Sequence, residues 1–522
     1  MRHGITASRA GAGMVAALLA LFVSSSATAV TGKAGASAAS LTVLTLSKPT
    51  NLNPALNAIS ASDVWYSSLA YDSLIHLGSK GKLEAGLAAA WKYVGAGNMR
   101  FQLTLRPGVK FSDGSPVTAA AVAQSLNYTR KAGGGIANWI SGIDSITALN
   151  RTTVDIKLSK GNPELPFLFS TPIQLGDVIN PKALASAGDL GHSTAGAGPY
   201  MLDPSQTVSE DHYTYVPNPH YWNKSAIHYK KVTIKVVSNT SAALQTLRTG
   251  AADVALGDIN TAAGAKSAGL RVYSALVAQT GIDLLDRTGV ISKPLADVRV
   301  RQALNYAVDR KKIASSLLGS TGTPVNQVGA PATPDYLSRS GKQYAYDPAK
   351  AKQLLTQAGY PDGFTVNMAI FGANPPAGDV AQAVISDWAK IGVKVDANTT
   401  SDGGAYVQAV FSKKYATFSY GYGYIPFYLY SQNWYLSTAN PFNLYETNDP
   451  QLTSLVEQGN AASGARRQAL YGRATQRALD LAWVVPVASY SVFYFASPKV
   501  GNVKVDPARA LLDLTELTPV KG

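Results

Sequence analysis

Residues 101–119 read FQLTLRPGVKFSDGSPVTA and place a strand and the start of a helix on either side of a turn. Phe101, Leu103 and Leu105 alternate with polar residues, and this period of two is typical of a half-buried strand. Thr118 precedes an apolar pattern that continues at Val122, as the N-cap residue of a helix does. The stretch therefore predicts one strand–turn–helix unit.

The alternation of strands and capped helices continues through most of the chain. Asp347 and Pro348 supply an N-cap and a first-turn proline, and Gly359 stands where that helix should end. The other predicted helices are 241–249, 297–319 and 379–390, and strands are predicted at 41–46, 232–236 and 393–395. Helices and strands that alternate in this way indicate an α/β fold.

The N-terminus has the three parts of a secretory signal. Arg2 and Arg9 precede an apolar run at 14–23, and small residues at Ala27 and Ala29 suit cleavage. Residues 1–29 are therefore predicted to be a signal peptide and 30–40 a linker. The alternative is a retained membrane anchor, which the sequence disfavours because the apolar run is only half of the roughly 20 residues that a span requires.

Composition excludes several classes of protein. The 522 residues carry a net charge of +14 and no cysteine. A disulfide scaffold, a cysteine-ligated metal, a thiol nucleophile and a lipid-modified N-terminal cysteine are therefore excluded. The basic residues are dispersed instead of clustered on one element, so we predict no nucleic-acid partner.

No residue pattern indicates an enzyme or a metal site. None of the six histidines has the spacing of a metal-binding motif. Residues 79–82 match a Ser-x-x-Lys pattern, but they lie in a Gly/Lys turn and the partner motif is missing. We therefore predict no catalytic residue, no metal and no cofactor.

Aromatic residues are concentrated in one segment. Thirteen of the 35 residues at 411–445 are Phe, Tyr or Trp. Tyr420, Tyr422 and Tyr424 alternate with small residues, which places three rings on one face of a strand. Tyrosine and tryptophan combine apolar area with a polar tip, so the segment suits a binding surface for a semi-polar solute. A tyrosine-rich core layer is the alternative.

Six motifs in order give the chain a recognisable family pattern. It resembles the bacterial solute-binding proteins of family 5, which include the dipeptide-, oligopeptide- and nickel-binding components of ABC importers. The motifs are LEAGLAAAW at 83–91 with the 101–119 stretch, GAGPY at 196–200, NPHYW at 218–222, DVRVRQALNYAVDR at 297–310, AKQLLTQAGYPDGF at 351–364 and IGVKV at 391–395.

The resemblance implies a two-lobed periplasmic-binding-protein-like fold of class II, cluster C type, with an extra subdomain in the first lobe. Lobe I would comprise 41–71, 195–278 and 491–522, the subdomain 72–194, and lobe II 279–490. The solute would lie between the lobes, and a membrane permease would recognise the closed form. The resemblance also implies a monomer.

The resemblance also implies where the solute binds. Relatives carry an aspartate in the tyrosine-rich strand that pairs with a peptide's α-amino group, and here that position is Gly423. A different alignment would let Asp402, Asp286 or Asp283 supply the charge. The predicted ligand-binding residues are Thr50, Asn51, Tyr420, Tyr422, Gly423, Tyr424, Trp434 and Tyr490.

We therefore expect the extracytoplasmic solute-binding protein of an ABC importer, periplasmic or secreted, without a lipid anchor and without catalysis. Its solute would be peptide-like or another semi-polar compound. An oligosaccharide-binding member of the same family is one alternative. A secreted scaffold or enzyme that uses the same fold is the other, because a fold does not determine function.

Overall fold

The computed structural model describes residues 39–57, 61–134, 137–329, 336–337, 343–372, 376–436, 442–506 and 511–520. The predicted signal peptide and residues 30–38 of the predicted linker lie outside this part of the chain. Within it, helices and strands alternate as the sequence predicts, and the mixed α/β class is confirmed. The helices are α1 Ala61–Ala70, α2 Ala119–Lys131, α3 Leu165–Leu168, α4 Thr240–Arg248, α5 Ile259–Ser267, α6 Val298–Tyr306, α7 Arg310–Leu318, α8 Pro348–Gln357, α9 Ala377–Ala389, α10 Gly403–Phe411, α11 Phe427–Trp434, α12 Pro450–Ala461 and α13 Gly464–Leu481.

The strands range from two residues to fourteen. Two of them, β12 and β17, are much longer than the others. In chain order the strands are β1 Ser40–Thr45, β2 Ile75–Leu77, β3 Leu83–Ala85, β4 Ala88–Tyr93, β5 Arg100–Leu105, β6 Ile143–Ala148, β7 Thr153–Leu158, β8 Tyr200–Leu202, β9 His212–Pro217, β10 Lys231–Val236, β11 Val254–Gly257, β12 Arg271–Leu284, β13 Gly322–Pro324, β14 Thr365–Phe371, β15 Lys394–Thr400, β16 Thr417–Gly423, β17 Val484–Ala496, β18 Val500–Gly501 and β19 Thr518–Pro519.

One large sheet runs through the molecule in the order β15-β14-β16-β12-β17-β11-β1-β10-β9-β8, with β13 added beside β17. Strands β12 and β17 pair along nearly their whole length. At one end of this pair β11 joins residues 493–496 of β17, and at the other end β16 joins residues 278–284 of β12. The long pair therefore connects two halves of the sheet.

The long pair is irregular between its two ends. The register of β12 against β17 shifts between Leu276 and Ala278 and again between Thr280 and Gly281. Such bulges interrupt the ladder and let a strand bend and twist locally. The predicted lobe boundaries near residues 278 and 490 stay a prediction.

A second, four-stranded antiparallel sheet has the order β4-β5-β7-β6. Phe101 and Leu103 of β5 are fully buried, as their alternation predicts, and they pack in one core with Val122 and Leu126 of α2. The Thr118 hydroxyl accepts a hydrogen bond from the backbone N–H of Ala121, which confirms the predicted N-cap. The motif at 101–119 thus forms the centre of this sheet and its helix.

The helix predicted at 297–319 is wrong in one respect, because the structure has two helices there. Helix α6 ends at Tyr306, and α7 begins at Arg310. The Asp309 carboxylate accepts a 3.0 Å hydrogen bond from the backbone N–H of Lys312, so Asp309 is an N-cap in the middle of the predicted helix. An N-cap residue has non-helical backbone angles, and it therefore separates the two helices.

Candidate functional site

The tyrosine-rich strand β16 lies beside β12 in the middle of the large sheet. Antiparallel pairing places Tyr422 opposite Gln279 and Tyr420 opposite Gly281. Residues directly opposite each other in such a ladder point to the same face, so Gln279 shares a face with both tyrosines. A β-carbon at Gly281 would lie 2.3 Å from the Val485 carbonyl oxygen and 2.9 Å from the Tyr420 hydroxyl. The Val485 carbonyl therefore requires glycine at 281, and this glycine also leaves room for the Tyr420 hydroxyl.

The rings on this face stack on one another and on α11. The ring centroids of Tyr420 and Tyr422 are 4.6 Å apart, and those of Tyr422 and Trp434 are 4.9 Å apart. Trp434 also stacks on Tyr430 at 4.5 Å and on Phe442 at 5.0 Å. We call these five residues the aromatic stack. Aromatic pairs at these separations contribute more stability than the burial of their apolar area alone.

Most of the aromatic stack is inside the protein. Tyr420 and Trp434 are each 4% exposed and Tyr430 is 3% exposed, while Tyr422 is half-buried. Burial raises the pKa of the Tyr420, Tyr422 and Tyr430 hydroxyls well above the ordinary value for tyrosine. The structure thus brings together three of the predicted site residues, Tyr420, Tyr422 and Trp434. It also supports the alternative that much of this segment is core.

Two other predicted residues lie on different parts of the same sheet region. The Tyr424 hydroxyl is 2.6 Å from the Ser489 hydroxyl oxygen of β17, and the Tyr424 ring is half-buried. Gly423 is the last residue of β16 and pairs with Ala278. Tyr490 packs in another core cluster, with β12, α7 and α9, and is separate from the aromatic stack.

Thr50 and Asn51 lie in the loop that follows β1. The Thr50 backbone N–H donates a 2.7 Å hydrogen bond to Asp63, and the Asn51 side-chain oxygen accepts one from the backbone N–H of Asn53. These hydrogen bonds serve the loop itself and the start of α1. Their assignment to the solute site stays a prediction.

Several buried polar atoms around the stack find no hydrogen-bond partner in the described residues. The Gln279 side chain donates 2.9 Å from its nitrogen to the Gly329 carbonyl, but its oxygen is unpaired. The tyrosine hydroxyls of the stack come within reach of one another without a well-directed hydrogen bond. A buried polar group without a partner costs about 1–3 kcal/mol. The unpaired atoms here are Gln279 Oε1, Asp283 Oδ2, Trp434 Nε1 and the hydroxyls of Tyr420, Tyr422 and Tyr430.

Asp283 is close enough for its charge to act on Tyr420, Tyr422 and Tyr430, and it is already paired. Its Oδ1 accepts a 2.9 Å hydrogen bond from Arg287, and both side chains are fully buried. Burial raises the pKa of Asp283 to about 6, although the Arg287 charge opposes this shift. Arg287 also lies 4.7 Å over the Trp483 ring and donates to the Trp434 carbonyl.

The other two acids considered for this role are also engaged elsewhere. Asp286 accepts hydrogen bonds from the backbone N–H groups of Val290, Ile291 and Ser292. Asp402 is the N-cap of α10. Of the three acids, Asp283 is the one with an unpaired buried oxygen.

Sequence reasoning did not select Gln279. A signal for it exists, since Gln279 is an amide side chain within the mostly apolar stretch VAQTGIDLL at 277–285. Its position beside Tyr422 follows from the register of β12 against β16, and the sequence does not reveal that register.

The described residues contain neither a metal-binding cluster nor a membrane-spanning helix. No three His, Asp or Glu side chains among them come close enough to hold a metal ion. In that same part of the chain, every helix is too short or too polar to cross a membrane.

A family model described as "Bacterial extracellular solute-binding proteins, family 5 Middle" matches residues 82–443. The glutathione-binding protein GsiB of Salmonella typhimurium is 30% identical over 331 residues, which is 62% of this chain and 62% of that protein. The chain thus spans less than two thirds of that relative's length. The nickel-binding periplasmic protein of Escherichia coli K12 is 26% identical over 514 residues, covering 92% of this chain and 95% of the relative.

The fold is similar to that of a solved protein. The structure of AgaA from A. tumefaciens R10 in complex with agropinic acid superimposes with a TM-score of 0.81 and 22% identity, over 93% of this chain and 99% of that one. The prediction of a two-lobed periplasmic-binding-protein fold is confirmed.

Proposed function

Because the chain belongs to the bacterial extracellular solute-binding proteins of family 5, we propose that it is the binding component of an ABC importer. It captures a small solute between its lobes and delivers it to a membrane permease. The observation that carries the proposal is the group of unpaired, buried polar atoms around the aromatic stack. Gln279 Oε1, Trp434 Nε1 and the tyrosine hydroxyls are suited to hydrogen-bond a solute that lies against the rings.

The proposed mechanism is closure around the solute. Strands β12 and β17 connect the two halves of the sheet, and their register shifts let them bend. A solute that contacts both lobes only when they are closed shifts the population toward the closed form. In this mechanism no covalent step is needed, so we propose that the protein is not an enzyme.

The solute is proposed to be peptide-like or otherwise semi-polar, and without an unpaired positive charge at the stack. A buried ammonium group requires a carboxylate partner. Asp283 lies near the stack, and Arg287 already balances its charge. Stacked tyrosine and tryptophan rings also suit the apolar face of a sugar ring, which keeps an oligosaccharide as the second candidate.

The remaining predictions concern the site, the cell and the assembly. We propose that Thr50 and Asn51 contribute from lobe I, and that Tyr424 and Tyr490 line the path between the lobes. The lobe and subdomain boundaries stay as predicted. We also propose cleavage after residue 29, a periplasmic or secreted location without a lipid anchor, and a monomeric state.

A thermal-shift screen tests the proposed function. The probes are reduced glutathione, unlabelled dipeptides, Ni²⁺ with and without free histidine, agropinic acid and cello-oligosaccharides. Binding to the folded state alone raises Tm, and the rise grows with probe concentration. We expect at least one peptide-like or sugar probe to do so. If every probe leaves Tm unchanged up to millimolar concentration, the proposed solute classes are wrong.

A further inference from the structure

Helix α11 has two different neighbours on its two sides. Tyr430 and Trp434 belong to the aromatic stack. Tyr428 and Leu429, from the same helix, pack in the core cluster of the four-stranded sheet and α2, and Leu429 is fully buried there. One short helix therefore contacts both the proposed solute site and the predicted subdomain, 72–194.

A buried hydrogen bond joins the subdomain to this helix. The Trp139 indole N–H donates 2.8 Å to the Asn433 side-chain oxygen. Trp139 is 5% exposed and Asn433 is 4% exposed. Asn433 immediately precedes Trp434 of the stack, so a shift of one residue displaces the other.

Polar contacts surround this buried centre. Lys160 of the subdomain forms a 2.9 Å ion pair with Glu457 of α12, and the Asn98 side chain donates 2.8 Å to the Asn460 carbonyl. A buried apolar centre with a polar rim is the usual anatomy of an interface between separately folded units. Helix α11 therefore shares buried apolar contacts with the subdomain, and polar contacts join α12 to the subdomain beside them.

We propose that α11 couples the aromatic stack to the docking of the subdomain on lobe II, with Trp139 and Asn433 as positioning residues for the solute site. The inference rests on the proposed function, because it assigns a role to the same stack. A two-turn helix moves as a unit, so the stack and the Trp139–Asn433 bond form or separate together. The subdomain then stabilises the closed form, although no predicted solute contact lies within it.

The test measures a distance in the full chain without any solute. The chain has no cysteine, so Thr147→Cys and Gln451→Cys introduce two spin-label positions. Both residues are exposed, on β6 of the subdomain and on α12. Double electron–electron resonance then reports the population of closed and separated forms.

Five variants are compared in this background. Trp139→Phe keeps a ring but removes the N–H donor, Tyr422→Leu removes a ring from the stack, and Lys160→Ala removes a rim ion pair as the matched control. We expect Trp139→Phe to raise the longer-distance population about fivefold, the factor typical of losing one buried hydrogen bond, and we expect Tyr422→Leu to raise it as well. Asn433→Asp keeps the acceptor and should therefore keep the parent distance distribution. Asn433→Leu removes the acceptor and should not keep it.

Two results would overturn the inference. One is an unchanged distribution in Trp139→Phe. The other is a shift in Trp139→Phe with none in Tyr422→Leu, because coupling through α11 requires both. Circular dichroism verifies that each variant is folded, and Trp434→Phe replaces Tyr422→Leu if that variant does not fold. The distance measurement uses no solute, so it can be interpreted even if the thermal-shift screen finds no ligand. The proposed function and the coupling through α11 can therefore fail separately.

Discussion

Gly281 shows how one residue permits the geometry of the site. Its missing side chain leaves room for the Tyr420 hydroxyl, which would lie 2.9 Å from a β-carbon at this position. The Tyr420 hydroxyl can therefore approach β12 while the ring stacks on Tyr422. At the residue scale, the site depends on a small residue in one strand and a large one opposite it.

Tyr424 is the residue whose role in binding is most easily tested. Its ring is half-buried and its hydroxyl lies 2.6 Å from that of Ser489, so it is more accessible than the buried rings of Tyr420 and Trp434. We expect Tyr424→Ala to weaken the affinity for the solute found in the screen by about 1–3 kcal/mol, as a central contact does. Isothermal titration calorimetry measures this change. Tyr346→Ala, at an exposed tyrosine outside the predicted site, is the control, and equal affinities in the parent and Tyr424→Ala would remove Tyr424 from the site.

Asp177 is expected to make stability depend on pH. It is 2% exposed, and burial raises its pKa to about 7, whereas an exposed aspartate titrates near about 4. Between these values the folded state holds a proton that the unfolded state lacks, so stability falls as pH rises. From pH 5 to 8 the free energy of unfolding of the parent protein should fall by about 2–3 kcal/mol. The Asp177→Asn variant should not show this loss. Urea unfolding at both pH values measures this; parallel losses in the two proteins would contradict it.

At the scale of elements, the boundary between α6 and α7 has a local signal, the N-cap at Asp309. The helical spacing of apolar residues over 297–319 obscured this signal. Apolar residues at helical spacing continue across the boundary, which favours a single helix. The structure instead has an N-cap at Asp309, and the buried Arg310 guanidinium donates back to the Asn305 carbonyl. The cap and the arginine together stabilise the non-helical residues between the two helices.

The cap at Asp309 predicts a measurable loss of stability. Asp309→Ala removes the acceptor for the Lys312 N–H, and losing an N-cap typically costs about 1 kcal/mol. Asp309→Asn keeps a side-chain acceptor and should lose much less. Chemical denaturation of the three proteins measures the difference. Equal stability of Asp309→Ala and the parent would show that the cap does not hold this helix.

At the scale of the whole molecule, the pair of long strands β12 and β17 determines how the two halves of the sheet are related. Strand β11 joins one end of the pair through β17, and β16 joins the opposite end through β12. The register shifts lie between those ends. A molecule connected in this way can couple solute binding to a change in the relation of its halves.

Solute binding should therefore stabilise the whole molecule and not one lobe. If the solute binds only the folded, closed form, a concentration one hundred times Kd adds about 2.7 kcal/mol to the free energy of unfolding. We expect a single unfolding transition whose Tm rises with the logarithm of solute concentration. Calorimetry measures this, and a second transition that does not respond to solute would contradict coupling between the lobes.

Much of the local structure could be predicted from residue order alone. The alternation at 101–105 and the cap at Thr118 correspond to β5 and α2 as found. The turn chemistry at Asp347, Pro348 and Gly359 places α8 correctly. These signals act over a few residues. Each one favours the backbone conformation of the helix or strand in which it lies, so it can be recognised without the rest of the fold.

The site was predicted less completely. Tyr420, Tyr422 and Trp434 meet as the aromatic clustering suggested, but Gln279 was missed and Tyr490 lies in another core. Whether a tyrosine lines a pocket or a core depends on what packs on its other face. That neighbour comes from a distant part of the chain, so periodicity does not reveal it.

The sequence by itself determined the α/β class, the family and the concentration of aromatic residues at 411–445. Only the tertiary structure decided that Asp283 is neutralised by Arg287, that Gln279 faces Tyr422, and that Trp139 reaches Asn433 from 294 residues away. The physical reason is range. Propensity and capping act between near neighbours, whereas charge balance and burial depend on which strands and helices finally meet.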